Sequence, residues 1–194
     1  MGKLTLLAAC AVLAACAQAA LSAPGSVAVS TKSAMPRGIV RTDGHGAVPV
    51  SVAGTAQCQS LDRDQARAAL THSNAVRAAA GLPALRLNAR LQRAAELQAC
   101  DMASRGVMDH RGTSSTGPGM RVKQLGYKPR ITAENIAAGA SSIFDLNGTL
   151  SEWARSEKHR ANTVIPQLKE MGIGHALSPD GRVAYWSVVY SAPR

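Results

Sequence analysis

The stretch NARLQRAAELQACDMASRGVMDH, residues 88–110, has the pattern of one amphipathic helix that ends just before an acid and an imidazole. Asn88 is a favourable N-cap residue, and Gly106 stands where helices commonly end in the left-handed conformation. The positions between them that repeat every three or four residues are small or apolar: Leu91, Ala94, Ala95, Ala99, Met102 and Ala103. The stretch therefore predicts a buried helix that carries Asp109 and His110 at its C-terminal end.

Helical patterns also stand on both sides of this stretch. Asp62 and Gln65 fit a capping box, and Gly81 followed by Pro83 ends the apolar period, which predicts a helix over about residues 61–80. Further along, a third helix that ends around Ser156 is predicted by apolar residues at three- and four-residue spacing: Ile143, Leu146, Leu150, Trp153 and Ala154.

The end of the chain has the pattern of two strands. Two apolar runs, residues 171–177 and 183–191, flank the sequence SPDGR, which is typical of a hairpin turn. Both alternating faces of the second run are apolar, so we expect a central strand covered on both sides. Helices before and between strands then predict an α+β domain of three layers.

The N-terminal residues have the pattern of an export signal. A short positive start precedes an apolar run over residues 4–15, which is too short to span a membrane. Residues 13–16, LAAC, resemble a lipobox, which predicts a signal peptide over residues 1–16 and lipidation of Cys16. Ordinary cleavage after Ala19 is the alternative, and it would give a secreted protein. Residues 17–59, rich in Ala, Gly, Pro and Ser, predict a flexible tether before a domain over residues 60–194.

Export also bears on the cysteines. If Cys10 leaves with the signal and Cys16 carries a lipid, Cys58 and Cys100 remain in the periplasm or cell envelope. Two thiols of one small domain in an oxidising compartment usually form a disulfide. A bridge between Cys58 and Cys100 is therefore expected, with two free thiols as the alternative.

The charge of the chain limits its partners. Lys and Arg total 22 against 12 Asp and Glu, which gives a net charge of +10 and favours anionic partners. Nucleic-acid binding is disfavoured by export and by an aromatic content of only 3%, because single strands bind by stacking on aromatic rings. We expect the membrane, through the lipid anchor, and an envelope ligand such as a lipid, a cell-wall fragment or a protein.

Histidine and glutamate are the residue types left to carry chemistry. The sequence has no G-x-S-x-G elbow, no H-E-x-x-H, no Walker loop and no paired C-x-x-C. His110, Glu134 and the pair Glu157 and His159 lie in three separate segments. Two imidazoles with one or two carboxylates are sufficient for a zinc site, or for acid/base chemistry around a bound water.

From about residue 61 to its end the chain contains the four blocks HSNAVRAAAGLPALRLNARLQRAAELQACDMASRGVMDHRG, AENIAAG, WARSEKHRANTV and MGIGHA. In this order they resemble the bacterial branch of the CAP superfamily, named for cysteine-rich secretory proteins, antigen 5 and pathogenesis-related proteins. The resemblance implies an α-β-α sandwich with a central antiparallel sheet. It also implies a surface cleft that gathers two histidines and two acids.

The resemblance assigns the cleft residues one by one. His110 and Glu134 match the first histidine and the first acid, and His159 matches the second histidine, in the block W-x-x-S-x-x-H-R. Glu157 is expected as the second acid, with Glu152 as the alternative. The two acids are five positions apart, about 140° around a helix, so they do not both face the cleft. His110 and His159 are the expected ligands of zinc or another divalent cation.

Two functions are compatible with these residues. The first is an exported, lipid-anchored envelope binding module whose cleft holds the ligand, with or without a metal. The alternative is a protease-like hydrolase in which His110, Glu134 and His159 activate water. Binding ranks first because the chain has a tether, a positive charge and no recognisable nucleophile, and because a family resemblance does not fix chemistry.

Overall fold

The computed structural model describes Gly2 and residues 38–194; the predictions for the signal peptide and for Cys16 fall outside these residues, Gly2 excepted. The helices are α1 (Arg63–Ala79), α2 (Ala89–Arg105), α3 (Pro118–Gln124), α4 (Leu146–Arg155) and α5 (Glu157–Thr163). The strands are β1 (Ile39–Thr42), β2 (Val48–Pro49), β3 (Gln57–Gln59), β4 (Arg86–Leu87), β5 (Val107–Met108), β6 (Pro129–Ala140), β7 (Glu170–Leu177) and β8 (Val183–Pro193). Within this part of the chain, no helix has the length and apolar character needed to cross a membrane.

Six strands form one sheet in the order β1-β6-β8-β7-β3, with β4 on β7. The long strands are antiparallel to one another, whereas the short strands β1 and β4 pair in parallel with β6 and β7. β2 and β5 form a separate antiparallel pair. The predicted hairpin is confirmed, and β8 is buried on both faces as expected for a central strand.

Helices cover both faces of the sheet, which confirms the predicted three-layer α+β fold. The helix α2 packs on one face through the small-residue stripe read from the sequence, against Ala176, Tyr185 and Val189. α1 and α4 cover the other face through a larger core that includes Trp153 and Trp186. The contact of α2 with β7 is close, because a Cβ on Gly172 would lie 2.0 Å from the backbone nitrogen of Gln92.

The domain begins earlier than the sequence predicted. Residues 38–59, assigned to the tether, contribute β1, β2 and β3. β3 pairs with β7 and brings Cys58 against Cys100 of α2, where the expected disulfide is present. These strands have two to four residues and lie among glycines and prolines, so they have no lasting apolar period. β1 and β3 are stabilised by pairing with the long strands β6 and β7, and β2 by pairing with β5, and sequence pattern does not show such distant pairing.

The third predicted helix ends where expected, at Arg155, but the chain then starts a separate helix. Ser156 adopts an extended conformation and joins α4 to α5. Gly148 lies in the first turn of α4 and does not split it. His159 therefore lies on α5, a helix separate from α4.

Candidate functional site

The carboxylate of Asp43 lies between the two histidines that the sequence singled out. Its Oδ1 is 2.7 Å from His110 Nε2 and accepts the backbone N–H of His45 at 3.0 Å. Its Oδ2 is 3.2 Å from His159 Nε2 and accepts the backbone N–H of Ile136 at 3.0 Å. Asp43 is only 3% exposed. One buried carboxylate therefore contacts both imidazoles.

Three elements bring this carboxylate and the two imidazoles together. β1 places Thr42 opposite Glu134 of β6, and the chain then leaves the sheet through Gly44, whose φ of 81° suits glycine. His110 follows β5, and its carbonyl accepts a hydrogen bond from Arg121 of α3. α5 is tied to β6 because the Asn135 side chain donates to the carbonyl of His159.

The inner half of the site consists of His110, Glu134, Arg121 and Ser187. His110 Nδ1 is 2.8 Å from Glu134 Oε2, while Glu134 Oε1 accepts hydrogen bonds from the Arg121 guanidinium and, at 3.0 Å, from the Ser187 hydroxyl. Carboxylates only accept, so both ring nitrogens of His110 act as donors, to Glu134 and Asp43. His110 is thereby an imidazolium held between two carboxylates.

The pKa values in the inner half reflect this arrangement. Burial alone would lower the pKa of His110, but the hydrogen bonds to Asp43 and Glu134 outweigh it and raise the pKa to about 9. Burial alone would raise the pKa of Asp43, but the hydrogen bonds from the two histidines hold it well below its usual range. The pKa of Glu134 is likewise lowered, against the effect of burial, chiefly by the charge of Arg121.

The outer half consists of His159, His45 and Glu152. His159 Nδ1 is 3.3 Å from Glu152 Oε1, within ion-pair distance, but neither this contact nor the one to Asp43 is aligned as a hydrogen bond. Burial lowers the pKa of His159, but the carboxylates of Asp43 and Glu152 outweigh burial and raise the pKa to about 9. His45 is exposed between Gly44 and Gly46, and its ring centroid is 5.5 Å from that of His159.

Asp43, His45 and His159 form a group with the composition of a metal site. Each offers one ligand atom, and these atoms lie within 4.8 Å of one another. Two imidazoles with one carboxylate leave a fourth position free on a tetrahedral ion such as zinc. The two nitrogens of buried His159 have no hydrogen-bond partner among the described residues, so the residues present fit a cation.

A pocket of about 170 Å³ opens beside this group of three. His45, His159 and Glu152 line its polar side. Its other walls are apolar: Met108, Ile136, Ala137, Ala138 and Phe144. The candidate metal site therefore adjoins a small apolar pocket.

The structure brings together three of the four predicted cleft residues, His110, Glu134 and His159. The preferred fourth residue, Glu157, is exposed and has no hydrogen bond or ion pair to another side chain among the described residues. Glu152, the alternative, faces His159 instead. Helical phase explains the difference, because Glu157 lies two positions before His159 on α5, about 200° around that helix, so the two side chains point to opposite sides. Of the two predicted metal ligands, His159 belongs to the group of three and His110 does not.

Sequence reasoning missed Asp43, His45 and Arg121. A signal for the first two was present, because Asp43 is the only acid among the first 61 residues and stands two positions from His45, next to glycines. Arg121 gave no such signal, because one arginine in a helix is most often solvated.

A family model described as the cysteine-rich secretory protein family (CAP) matches residues 70–190. The uncharacterized protein YkwD of Bacillus subtilis is 28% identical over 106 residues, which cover 55% of this chain but only 40% of that protein. This chain therefore corresponds to less than half of that relative.

Solved structures share the fold. An outer surface protein of Borrelia burgdorferi superposes with a TM-score of 0.61 at 16% identity, covering 71% of this chain and 100% of its own. An extracellular protein of Bacillus anthracis that contains an SCP domain gives a TM-score of 0.56 at 22% identity, covering 69% of this chain and 44% of its own. At these identities the likeness concerns the fold alone.

Proposed function

This chain belongs to the cysteine-rich secretory protein family, and we propose that it is an exported binding module. Its cleft holds a divalent cation, with zinc as the preferred ion, through Asp43, His45 and His159. The observation that carries the proposal is the group of three ligand atoms within 4.8 Å. Neutral imidazole and carboxylate are both good zinc ligands. Bound there, zinc supplies a Lewis-acidic position that a ligand from outside can occupy.

The inner and outer halves of the site have different roles in this proposal. The inner half fixes Asp43, because Oδ1 is held by His110 while Oδ2 is directed toward His159. Glu152 orients the His159 ring from the opposite side. His45 lies on an exposed glycine-flanked loop, so its ring can adjust to the cation.

A hydrolase is the second candidate, and Glu152 is the residue that favours it. Glu152 Oε2 has no hydrogen-bond partner among the described residues, and its carboxylate adjoins the cation site, where a base acting on water would stand. Glu134, the acid first considered for this role, is fully buried and has hydrogen bonds on both oxygens. Turnover of peptide or ester substrates that requires zinc and disappears in Glu152→Gln would favour this candidate over simple binding.

Export and anchoring belong to the same proposal. The Cys58–Cys100 disulfide fits an oxidising compartment, and the two structural neighbours are described as an outer surface protein and an extracellular protein. Lipid attachment at Cys16 rests on the LAAC motif. Palmitate labelling should disappear in Cys16→Ser, and labelling that persists in this variant would rule out anchoring at this residue.

Zinc titration of the purified, oxidised protein tests the metal site. Calorimetry should show one ion per chain, and His159→Ala and His45→Ala should each weaken binding by about a hundredfold or more, because each removes a ligand. His72→Ala is the matched control, since it removes a histidine of α1 outside the cleft. Affinity in His159→Ala equal to that of the unmodified protein would contradict the proposal.

A further inference from the structure

The pocket beside the cation site indicates what the cleft accepts. We propose that its ligand is an aliphatic amino-acid residue with a free carboxylate, either a free amino acid or the C-terminal residue of a peptide. The carboxylate binds the cation, a nitrogen donates to Glu152, and the side chain enters the apolar pocket. This inference rests on the proposed cation site and adds the class of ligand.

The apolar walls limit the side chain. Ile136, Ala137 and Ala138 of β6 form one wall, and Met108 and Phe144 complete it. The polar lining residues are His45 and His159, which belong to the cation site, and Glu152, which contacts His159. Burying a charged group against the apolar walls would be costly, so the pocket selects an apolar group.

The size of the pocket selects a short chain. Its volume is about 170 Å³. An apolar cavity of about 150 Å³ in another protein is filled by benzene, which has six carbons. A side chain up to the size of leucine therefore fits this pocket, whereas a long acyl chain or a sterol does not.

The polar end of the pocket requires a donor as well as an anion. Glu152 Oε2 is buried and accepts no hydrogen bond from any described residue. An ammonium or amide N–H of a ligand would satisfy it. A cation, a hydrogen-bond acceptor and an apolar wall are the partners that the carboxylate, the nitrogen and the side chain on one α-carbon require.

A series of ligands tests this assignment on the full-length, zinc-loaded protein. The probes are the N-acetyl derivatives of glycine, alanine, valine and leucine, with dissociation constants measured by calorimetry. Affinity should rise about fourfold for each carbon buried, at about 0.8 kcal/mol per methylene. Affinity that stays flat along the series would overturn the inference.

Two further probes test whether the ligand nitrogen contributes to binding, and whether the ligand is a free amino acid or a peptide C-terminus. The compound 4-methylpentanoate has the side chain and carboxylate of leucine but no nitrogen, and it should bind about tenfold or more weakly than N-acetyl-leucine, because a hydrogen bond to a charged acceptor is lost. Equal binding would overturn the role of Glu152. Free leucine binding more tightly than N-acetyl-leucine identifies a free amino acid as the ligand, and the reverse order identifies a peptide C-terminus.

The larger side chain in Ala138→Leu fills the pocket, so this variant should abolish the rise in affinity from N-acetyl-glycine to N-acetyl-leucine. Ala140→Leu is the control, because Ala140 lies on the same strand, is exposed and does not line the pocket. Zinc affinity should be unchanged in both variants, which also reports that they are folded. If zinc fails to bind the unmodified protein, the proposed function falls and this inference with it. If zinc binds and the ligand series is flat, or is the same with EDTA, only this inference falls.

Discussion

His110 and His159 are the same residue type, are both buried and contact the same carboxylate, yet their surroundings differ. In the inner half, both nitrogens of His110 have aligned contacts of 2.7 and 2.8 Å to Asp43 and Glu134. In the outer half, the nitrogens of His159 lie 3.2 and 3.3 Å from Asp43 and Glu152 without that alignment. A histidine with both nitrogens engaged holds the fold, whereas one with unsatisfied nitrogens remains available to a cation.

Removing the charge of Glu134 should produce the largest effect. Glu134→Gln leaves Arg121 and the His110 imidazolium buried without their carboxylate, so the free energy of unfolding should fall by about 3–5 kcal/mol. Urea denaturation measures this loss. Glu157→Gln is the matched control, and this exposed substitution should change stability by less than about 0.5 kcal/mol. A loss below about 1 kcal/mol in Glu134→Gln would show that the inner half is not a structural unit.

The pH dependence of stability in EDTA should give the next largest effect. The pKa of each cleft histidine is raised from 6.5 to about 9 in the folded protein, so their stabilisation is complete below pH 6.5 and is lost as pH rises through 9. The loss is on the order of 3 kcal/mol for one histidine, at 1.36 kcal/mol per pKa unit, and the two losses do not add in full because both rings depend on the same Asp43 carboxylate. Burial lowers the pKa of His175 to about 4, so its contribution to stability rises with pH until the unfolded ring loses its proton near pH 6.5, and it does not add to the loss through pH 9.

Comparison with Asp43→Asn tests whether the two cleft histidines cause this dependence of stability on pH. Urea denaturation at pH 6.5 and at pH 9.5 should show a much smaller difference in the variant, since its amide no longer favours the imidazolium forms. An equal slope in the two proteins would place the titrating groups outside the site.

Zinc affinity should respond to Glu152 with the smallest effect. Glu152→Gln should weaken zinc binding by about tenfold, because this carboxylate orients the His159 ring without contacting the ion. Glu157→Gln should leave zinc affinity unchanged. A larger loss of zinc affinity in Glu157→Gln than in Glu152→Gln would indicate that Glu157 is the second acid of the cleft.

The parts of the fold with a long apolar period could be predicted from the sequence. α1 and α2 have the expected caps, Asp62 and Asn88, and the hairpin of β7 and β8 lies where its turn sequence placed it. Each of these elements is stabilised by residues close to it in sequence. The short strands β1 and β3 are stabilised by partners about 90 and 120 residues away, so local pattern did not reveal them.

The candidate site could likewise be predicted from the sequence only in part. His110, Glu134 and His159 were found because they stand within motifs that resemble a known family. Asp43 was missed because it reaches the cleft only through the pairing of β1 with β6, inside a segment whose composition predicted a tether. Glu152 rather than Glu157 contacts His159, because Glu157 lies two positions before His159 on α5 and about 200° around that helix.

The position of a bound zinc ion tests the central claim most directly. Anomalous diffraction from crystals of the zinc-loaded protein should place the ion about 2.0–2.2 Å from a nitrogen of His45, a nitrogen of His159 and an oxygen of Asp43, with His110 still bonded to Asp43 and Glu134. An ion held between His110 and His159, with Asp43 displaced, would contradict the division of the site into a structural inner half and a cation-binding outer half.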